Sequence, residues 1–116
     1  MAGQDRRDTN MVIARDQVID IVKKYLSELR EHNIPVEEAI LFGSFAQGRA
    51  TENSDIDIAI ISSAFSGDRF DDRRWLVPLR RSVDSRLEPM PFLPEQFAAG
   101  GILIDEIKRT GIRITH

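Results

Sequence analysis

Residues 40–62 read ILFGSFAQGRATENSDIDIAIIS, and this stretch decides how the rest of the chain is interpreted. One apolar run ends at Gly43-Ser44, and a second, from Asp55 to Ser62, carries two aspartates. Both runs predict strands that enter a core. The short polar connection between them favours an antiparallel hairpin. The stretch therefore predicts two paired strands, with a group of polar side chains at one end of the hairpin.

The second run places two carboxylates on one face of its strand. Residues two apart in a strand share a face, so Asp55 and Asp57 point the same way, roughly 7 Å apart along the chain. Two like charges repel unless a cation joins them. Oxygen ligands of this kind select Mg²⁺ or Mn²⁺. By itself an Asp-x-Asp pattern is more often a solvated strand edge, so a metal site needs a second feature beside it.

Gly43 and Ser44 supply that second feature. Glycine lets the backbone approach a ligand closely. The amides at the start of the following turn, together with the Ser44 hydroxyl, can bind an anion. Phe45 to Gln47 is expected to form one helical turn with Ser44 as its N-cap. Alone, this pair is an ordinary tight turn, but next to two aspartates it predicts an anion site beside a metal site.

Together these features resemble the DNA polymerase β-like nucleotidyltransferase superfamily. Its motif is a Gly-Ser pair followed by Asp-x-Asp or Asp-x-Glu, and here ten residues, 45–54, separate Gly43-Ser44 from Asp55-Ile56-Asp57. The size of the chain resembles the minimal nucleotidyltransferases of bacteria and archaea, some of which are encoded beside a HEPN-domain partner in toxin–antitoxin pairs. We expect a small α/β (α+β) domain, with a mixed sheet of three to four strands packed with helices.

The resemblance implies an enzyme that moves a nucleoside monophosphate, interpreted here as AMP, from an NTP to a hydroxyl acceptor and releases pyrophosphate. Asp55 and Asp57 would bind Mg²⁺ or Mn²⁺ as catalytic metal ligands. The NTP, interpreted here as ATP, would contact Gly43, Ser44 and Arg49. The sequence leaves the acceptor open.

A third metal-binding carboxylate on a neighbouring strand is also implied by the resemblance. Glu88 is the preferred candidate, because its L-E-P-M-P-F segment aligns with the third strand of the superfamily and lies just upstream of the last helix. Asp84 is the alternative. The two residues are four apart, so an unbroken strand would place both on one face with Arg86.

Two alternatives compete with the metal-dependent transferase. Gly43 to Gly48 has the glycine spacing of a P-loop, but Arg49 and Ala50 stand where that motif needs Lys and Ser or Thr, so a P-loop NTPase is rejected. The second alternative is a non-catalytic binding module or antitoxin of the same fold that acts by binding a HEPN-type partner protein. The intact aspartate pair favours the enzyme, because a scaffold gains nothing from tolerating that repulsion.

Composition narrows the class of protein. A chain of 116 residues predicts one domain, and a net charge of −3 gives no general nucleic-acid footprint, which leaves nucleic acid open as a partner. The pairs Arg73-Arg74 and Arg80-Arg81 are interpreted as a solvated helix face, with a local anion contact as the alternative. The absence of cysteine excludes disulfides and thiolate chemistry and fits a reducing, cytoplasmic location. No apolar run suits a membrane span or a signal peptide, so no membrane partner is expected.

The remaining segments give the other expected elements. Residues 1–10 are expected to be a disordered terminus ahead of a single nucleotidyltransferase domain over residues 11–116. An open edge strand makes a homo-oligomer an option. Pro78 would kink the helix that contains it or split it in two. Prolines at 89 and 91 would cut off the third strand and confine it to an edge of the sheet or a strand end. The expected elements are a helix at 11–32, a strand at 36–42, a strand at 55–62, a helix at 70–81, a strand at 82–92, a loop at 93–101, a helix at 102–110 and a strand at 112–114. The first helix is expected to carry one apolar stripe, formed by Val12, Ile13, Val18, Ile19, Val22, Leu26 and Leu29. In the helix at 70–81, the residues expected to face the core are Trp75, Leu76 and Leu79.

Overall fold

The computed structural model describes the backbone of residues 2–115 and the side chains of residues 15–115. Helices and strands alternate around one four-stranded sheet of strand order β3-β2-β1-β4. This mixed sheet packed with helices is the predicted fold class. In chain order the elements are α1 (Ala2–Glu31), β1 (Glu38–Phe42), β2 (Ile56–Ile61), α2 (Arg69–Leu76), a 3₁₀ helix (Val77–Ser82), β3 (Leu87–Phe92), α3 (Pro94–Ala99), α4 (Ile102–Thr110) and β4 (Ile112–Arg113).

Strands β1 and β2 form the predicted antiparallel hairpin, and their register places Phe42 opposite Asp57. Strand β3 runs parallel to β2, which sets Glu88 beside Asp57 on the other side. Strand β4 pairs antiparallel with β1 at the far edge. One row across the sheet therefore holds Phe42, Asp57 and Glu88, with the two carboxylates on adjacent strands.

Helix α1 covers one face of the sheet through its buried apolar stripe. Val18, Val22, Leu26 and Leu29 lie in this stripe as predicted, while the expected members Val12 and Ile13 lie outside the described side chains. The helix begins at Ala2, not near Met11. A disordered segment 1–10 separate from a domain over 11–116 stays a prediction, and Met1 lies outside the described residues.

The opposite face of the sheet is covered by the two C-terminal helices. Phe97 of α3 and Ile107 of α4 pack on Ile40, Ala59 and Phe92 of the strands. The prediction of a loop over residues 93–101 was wrong, because α3 occupies Pro94–Ala99. Proline is well tolerated in the first turn of a helix, where the missing N–H has no intrahelical acceptor.

The segment around Pro78 consists of two short pieces instead of one kinked helix. Helix α2 begins after Asp68, whose side chain accepts hydrogen bonds from the backbone N–H groups of Phe70 and Asp71. It ends at Leu76, and Pro78 then lies in the first turn of the 3₁₀ helix, where it removes no needed donor. Trp75 was expected to face the core and is instead 55% exposed.

Both prolines lie inside β3, so the prediction that they cut this strand off was wrong. The prediction that they confine it to an edge is confirmed, because β3 is an edge strand of the sheet. The N–H of Ile56 donates to the carbonyl of Arg86 at 2.8 Å, and the N–H of Ser62 donates to that of Phe92 at 3.0 Å. Backbone groups alternate sides along a strand, so Pro89 and Pro91 turn theirs away from β2. At that open edge the missing N–H groups cost no hydrogen bond and leave fewer donors for another strand.

The boundaries near the site also differ in detail. Strand β2 starts at Ile56, so Asp55 lies just before the strand and is exposed. Phe45 to Gln47 lies in a turn closed by one i→i+4 hydrogen bond, from the N–H of Gln47 to the carbonyl of Gly43, which is a single helical turn that does not continue. In the part of the chain with described side chains, Ser44 makes no N-cap hydrogen bond. The segment predicted to bind an anion is therefore a turn between two strands without a helix cap.

Candidate functional site

The turn between β1 and β2 reverses the chain at Gly43, whose φ is +73°, and closes at Gly48, whose φ is +72°. Two internal hydrogen bonds shape it: the N–H of Gln47 donates to the carbonyl of Gly43 at 3.1 Å, and the N–H of Arg49 donates to the carbonyl of Ser44 at 2.9 Å. Phe45 is buried beneath it in the core. The buried Phe45 side chain therefore fixes the turn to the core, and the two internal hydrogen bonds fix the conformation of its backbone.

Three successive donors of this turn carry no hydrogen bond within the described residues. They are the backbone N–H groups of Ser44, Phe45 and Ala46. The Ser44 hydroxyl is likewise without a partner there, and its residue is partly exposed. Successive backbone N–H groups in a turn make an anion-binding concavity. The predicted anion contacts of Gly43 and Ser44 thus have a geometry that fits them.

Asp57 lies against this turn. A Cβ atom added to Gly43 would collide with the Oδ2 atom of Asp57. Two independent features therefore require glycine at position 43. Its positive φ disfavours other residues, and a side chain there would occupy the space of the Asp57 carboxylate. The contact joins the two halves of the motif: the end of β1 and the start of β2 meet where the anion-binding turn touches the half-buried aspartate.

Asp57 lies in surroundings that disfavour its negative charge. Burial, followed by the negative charges of Asp55 and Glu88, raises the pKa of Asp57 from 3.8 to about 6. The folded protein thus holds an aspartate whose ionised form is disfavoured by its surroundings. A divalent cation would remove that cost by neutralising the carboxylates.

Glu88 is held by two arginines that precede it in the chain. The Nη2 atom of Arg73 donates to Oε2 at 3.0 Å, and the Nη1 atom of Arg80 donates to Oε1 at 3.1 Å. Arg80 also donates to the carbonyl of Leu87 at 2.9 Å. Each carboxylate oxygen therefore has one guanidinium partner, and Glu88 enters the site as a member of a charged network.

Asp84, the alternative third carboxylate, lies before β3 and pairs locally. Its oxygens accept bonds from the Nε and Nη2 atoms of Arg86 at 3.1 and 2.9 Å. These bonds lower the pKa of Asp84 below its usual value. The structure thus brings Glu88 next to Asp57, whereas Asp84 is engaged two residues along its own chain.

The carboxylates fit the oxygen ligands that Mg²⁺ or Mn²⁺ prefers. Among the side chains of residues 15–115, no three carboxylate or histidine groups are close enough to share one ion. Both oxygens of Glu88 are bonded to arginines. Asp55 and Asp57 are the residues that would hold the metal, and Glu88 would join them by exchanging an arginine.

The other predicted site residue, Arg49, lies at the rim of the turn. It is exposed, and its Nη2 atom donates to the side chain of Gln47 at 3.0 Å. Three further arginines were not expected in the site. Arg73 and Arg80 come from pairs interpreted as a solvated face, and Arg15 of α1 reaches the turn. Arginines spaced along a helix gave no signal by which the sequence could identify the ones that turn toward the sheet.

Comparison with known proteins gives the family. Residues 19–98 match the family described as nucleotidyltransferase domain, and this match spans more than half of the 116 residues. The chain therefore belongs to that family. No curated protein matches the sequence at a significant level.

Two solved structures share the fold. A candidate nucleotidyltransferase from Sulfolobus solfataricus, solved at 1.40 Å resolution, is 18% identical, with a TM-score of 0.65 over 89% of this chain and 84% of that chain. A toxin–antitoxin structure solved with AMP-PNP is 26% identical, with a TM-score of 0.59 over 84% of this chain and 72% of that chain. In the part of the chain searched, residues 2–115, no helix is long and apolar enough to cross a membrane.

Proposed function

We propose that this protein is a metal-dependent nucleotidyltransferase that moves AMP from ATP to a hydroxyl acceptor and releases pyrophosphate. The observation that carries the proposal is the contact between Asp57 and Gly43. It sets a half-buried carboxylate of raised pKa directly beside three unpaired backbone donors. In a metal–polyphosphate complex, the metal ion would neutralise the carboxylate and the phosphate oxygens would accept hydrogen bonds from the backbone donors.

In this proposal the turn binds and orients the triphosphate. The N–H groups of Ser44, Phe45 and Ala46 and the Ser44 hydroxyl donate to phosphate oxygens, and Arg49 at the rim adds a positive charge. Bound Mg²⁺ or Mn²⁺ would neutralise the phosphates and activate the acceptor hydroxyl. Asp55 and Asp57 fix the α-phosphorus relative to the acceptor, so positioning supplies much of the rate enhancement.

Glu88 is the proposed third carboxylate, supported by its register beside Asp57. To act on the acceptor it must leave Arg73, whose side chain is 42% exposed, or Arg80, whose side chain is 29% exposed. Arg80 has a second acceptor in the Leu87 carbonyl. Among the described residues Arg73 makes no second hydrogen bond, so it is the more readily displaced partner.

A non-catalytic role is the second candidate. One structural relative is a toxin–antitoxin assembly, and that structure contains AMP-PNP. It supports both a protein partner and an adenine nucleotide for this chain. Under this alternative the chain is an antitoxin that acts by binding a HEPN-type partner protein, without modifying it. The two candidates differ in whether pyrophosphate is formed.

The test is calorimetric titration of ATP with Mg²⁺ into the wild-type protein and three variants, followed by a pyrophosphate assay. Asp55→Asn and Asp57→Asn should each abolish metal-dependent binding. Glu52→Gln, which removes an exposed carboxylate from the same connection, should bind like wild type. Pyrophosphate release that needs both aspartates supports the transferase.

If the wild type binds MgATP without turnover, even with purified candidate acceptors, the antitoxin alternative is favoured. If no Mg-NTP binds to the wild type, or if Asp57→Asn binds as tightly, the proposed site is wrong.

A further inference from the structure

Arg15 of α1 makes a hydrogen bond that the proposed mechanism does not yet use. Its Nη2 atom donates to the backbone carbonyl of Ala46 at 2.9 Å, across 31 positions in the sequence. Among the described side chains it is the one hydrogen bond from α1 to the turn. A long, mostly exposed arginine loses considerable rotamer freedom in such a contact, so a structural or functional gain should offset it.

The bonded carbonyl belongs to a peptide group held at both ends. The carbonyl of Ala46 and the N–H of Gln47 share one peptide plane. Arg15 bonds the oxygen, and the N–H donates to the carbonyl of Gly43 at 3.1 Å. This peptide therefore cannot rotate without losing two hydrogen bonds, one of them to a charged donor.

The same bonds lead to the anion-binding amides. The carbonyl of Gly43 shares its peptide plane with the N–H of Ser44, which is the first of the three unpaired donors. A hydrogen-bonded chain thus runs from the Arg15 guanidinium through two peptide groups to the Ser44 N–H. Hydrogen bonds in such chains polarise one another, and a cation at the start strengthens the last donor.

We propose that Arg15 is a positioning residue for the triphosphate, acting through this two-peptide chain to fix and polarise the Ser44 N–H. The inference rests on the proposed function for its ligand, but the bonds exist without any ligand. Arg15 itself need not touch the phosphates. It holds the turn in the shape that turns three donors to one side, so that binding does not have to order them.

The proposal predicts a selective loss of nucleotide affinity. Arg15→Ala should weaken MgATP binding about tenfold, as expected for a lost hydrogen bond from a charged donor, and should raise KM for ATP while kcat changes less than about twofold. Arg15→Lys keeps the charge with a poorer donor geometry and should fall between. Arg30→Ala, on the same helix about 22 Å away, removes an equal charge and should match wild type.

A spectroscopic readout separates positioning from general stability. In ¹⁵N-correlated NMR spectra of the protein without nucleotide, Arg15→Ala should move the Ser44 amide proton upfield more than the Phe45 amide, which lies outside the chain. The thermal midpoint should change by less than about 4 °C, since one partly exposed hydrogen bond is lost.

The outcomes are distinct. If Arg15→Ala leaves both MgATP affinity and the Ser44 amide unchanged, or if Arg30→Ala weakens binding equally, the inference is overturned. If the wild type does not bind MgATP, the proposed function fails, and the amide shift alone decides on Arg15. A shift confined to Ser44 and Gln47 then still supports the positioning, and no shift overturns it.

Discussion

Asp57→Asn should make the protein more stable near neutral pH while removing the proposed metal site. Burial and the neighbouring Asp55 and Glu88 raise the pKa of Asp57 from 3.8 to about 6. A shift of about two units corresponds to about 3 kcal/mol. The side chain is only half-buried, so solvent screening reduces this to about 1.5 kcal/mol.

The sign follows from proton binding. The folded state binds the Asp57 proton more tightly than the unfolded state does, so between about pH 4 and pH 6 folding takes up a proton and stability falls as pH rises. Above about pH 6 the cost of ionisation is complete. Asparagine carries no such cost, so the gain from Asp57→Asn should be about 1.5 kcal/mol at about pH 8 and should largely vanish at about pH 4.

Thermal and urea unfolding measured at both pH values test this. The gain at about pH 8 corresponds to a rise of about 6 °C in the midpoint for a domain of this size. Asp20→Asn, which removes an exposed carboxylate from α1, should stay within about 0.5 kcal/mol of wild type at both pH values.

Metal should bring the two proteins to nearly equal stability, because it stabilises the wild type by about as much as the substitution does. For a Kd of about 1 mM, about 10 mM Mg²⁺ adds about 1.4 kcal/mol to the wild type at about pH 8 and little to Asp57→Asn. A variant that is less stable than wild type at high pH without metal, or equally stabilised at both pH values, would refute the charge-repulsion argument.

Further substitutions test the packing around the site. Gly43→Ala forces a side chain onto a positive φ and into the Asp57 carboxylate, so it should cost about 2–3 kcal/mol of stability and abolish MgATP binding. Gly48→Ala is the control: the backbone φ is almost the same, but the added Cβ meets no atom within 4 Å, so the cost should be only about 1 kcal/mol. Urea unfolding compares the pair, and equal losses would contradict the contact with Asp57. Tyr25→Phe removes the 2.6 Å hydrogen bond from the buried hydroxyl to the carbonyl of Leu76, so it should cost about 1–2 kcal/mol by the same assay, and a neutral result would count against that bond.

The hairpin and its two aspartates could be predicted because the signals are local. Strand alternation, a glycine at the reversal and a short connection act within residues 40–62, and each agrees with the others. The spacing thus gives both the elements and the face that carries the carboxylates. Strand β3 was harder to predict, since a proline inside a strand depends on which edge faces outward. Only the pairing with β2 shows that Pro89 and Pro91 face the open side.

Helix α2 shows why a hydrophobic pattern can predict the wrong core-facing side of a helix. Asp72 is 4% exposed and accepts bonds from the backbone of Ser66 and Gly67 and from the Ser66 hydroxyl. Together with Leu76, one turn later, it fixes which side of α2 faces inward. Trp75 is then directed outward. A buried carboxylate that closes a loop is invisible to apolar periodicity, so the sequence favoured the large aromatic residue.

The position at which β3 begins makes Glu88, and not Asp84, the neighbour of Asp57. Alternation alone cannot separate residues four apart, because an unbroken strand sets both on one face. Asp84 accepts a hydrogen bond from the Arg86 backbone N–H at 2.8 Å as well as from its side chain, which closes a local turn before Leu87. The strand therefore starts too late to include Asp84, and Glu88 becomes the neighbour of Asp57 by register.

The arginines explain how so many carboxylates coexist in a small domain. Arg73 and Arg80 lie on the segment that connects β2 to β3, so the connection that makes these strands parallel also delivers positive charge to Glu88. Asp57 receives no such partner among the described residues, and its pKa is raised. The negative charge of Glu88 on β3 is therefore compensated by arginines, whereas that of Asp57 on β2 is not compensated by a described side chain. The position beside the anion-binding turn is therefore where a cation gains most, which is the arrangement a metal–nucleotide complex requires.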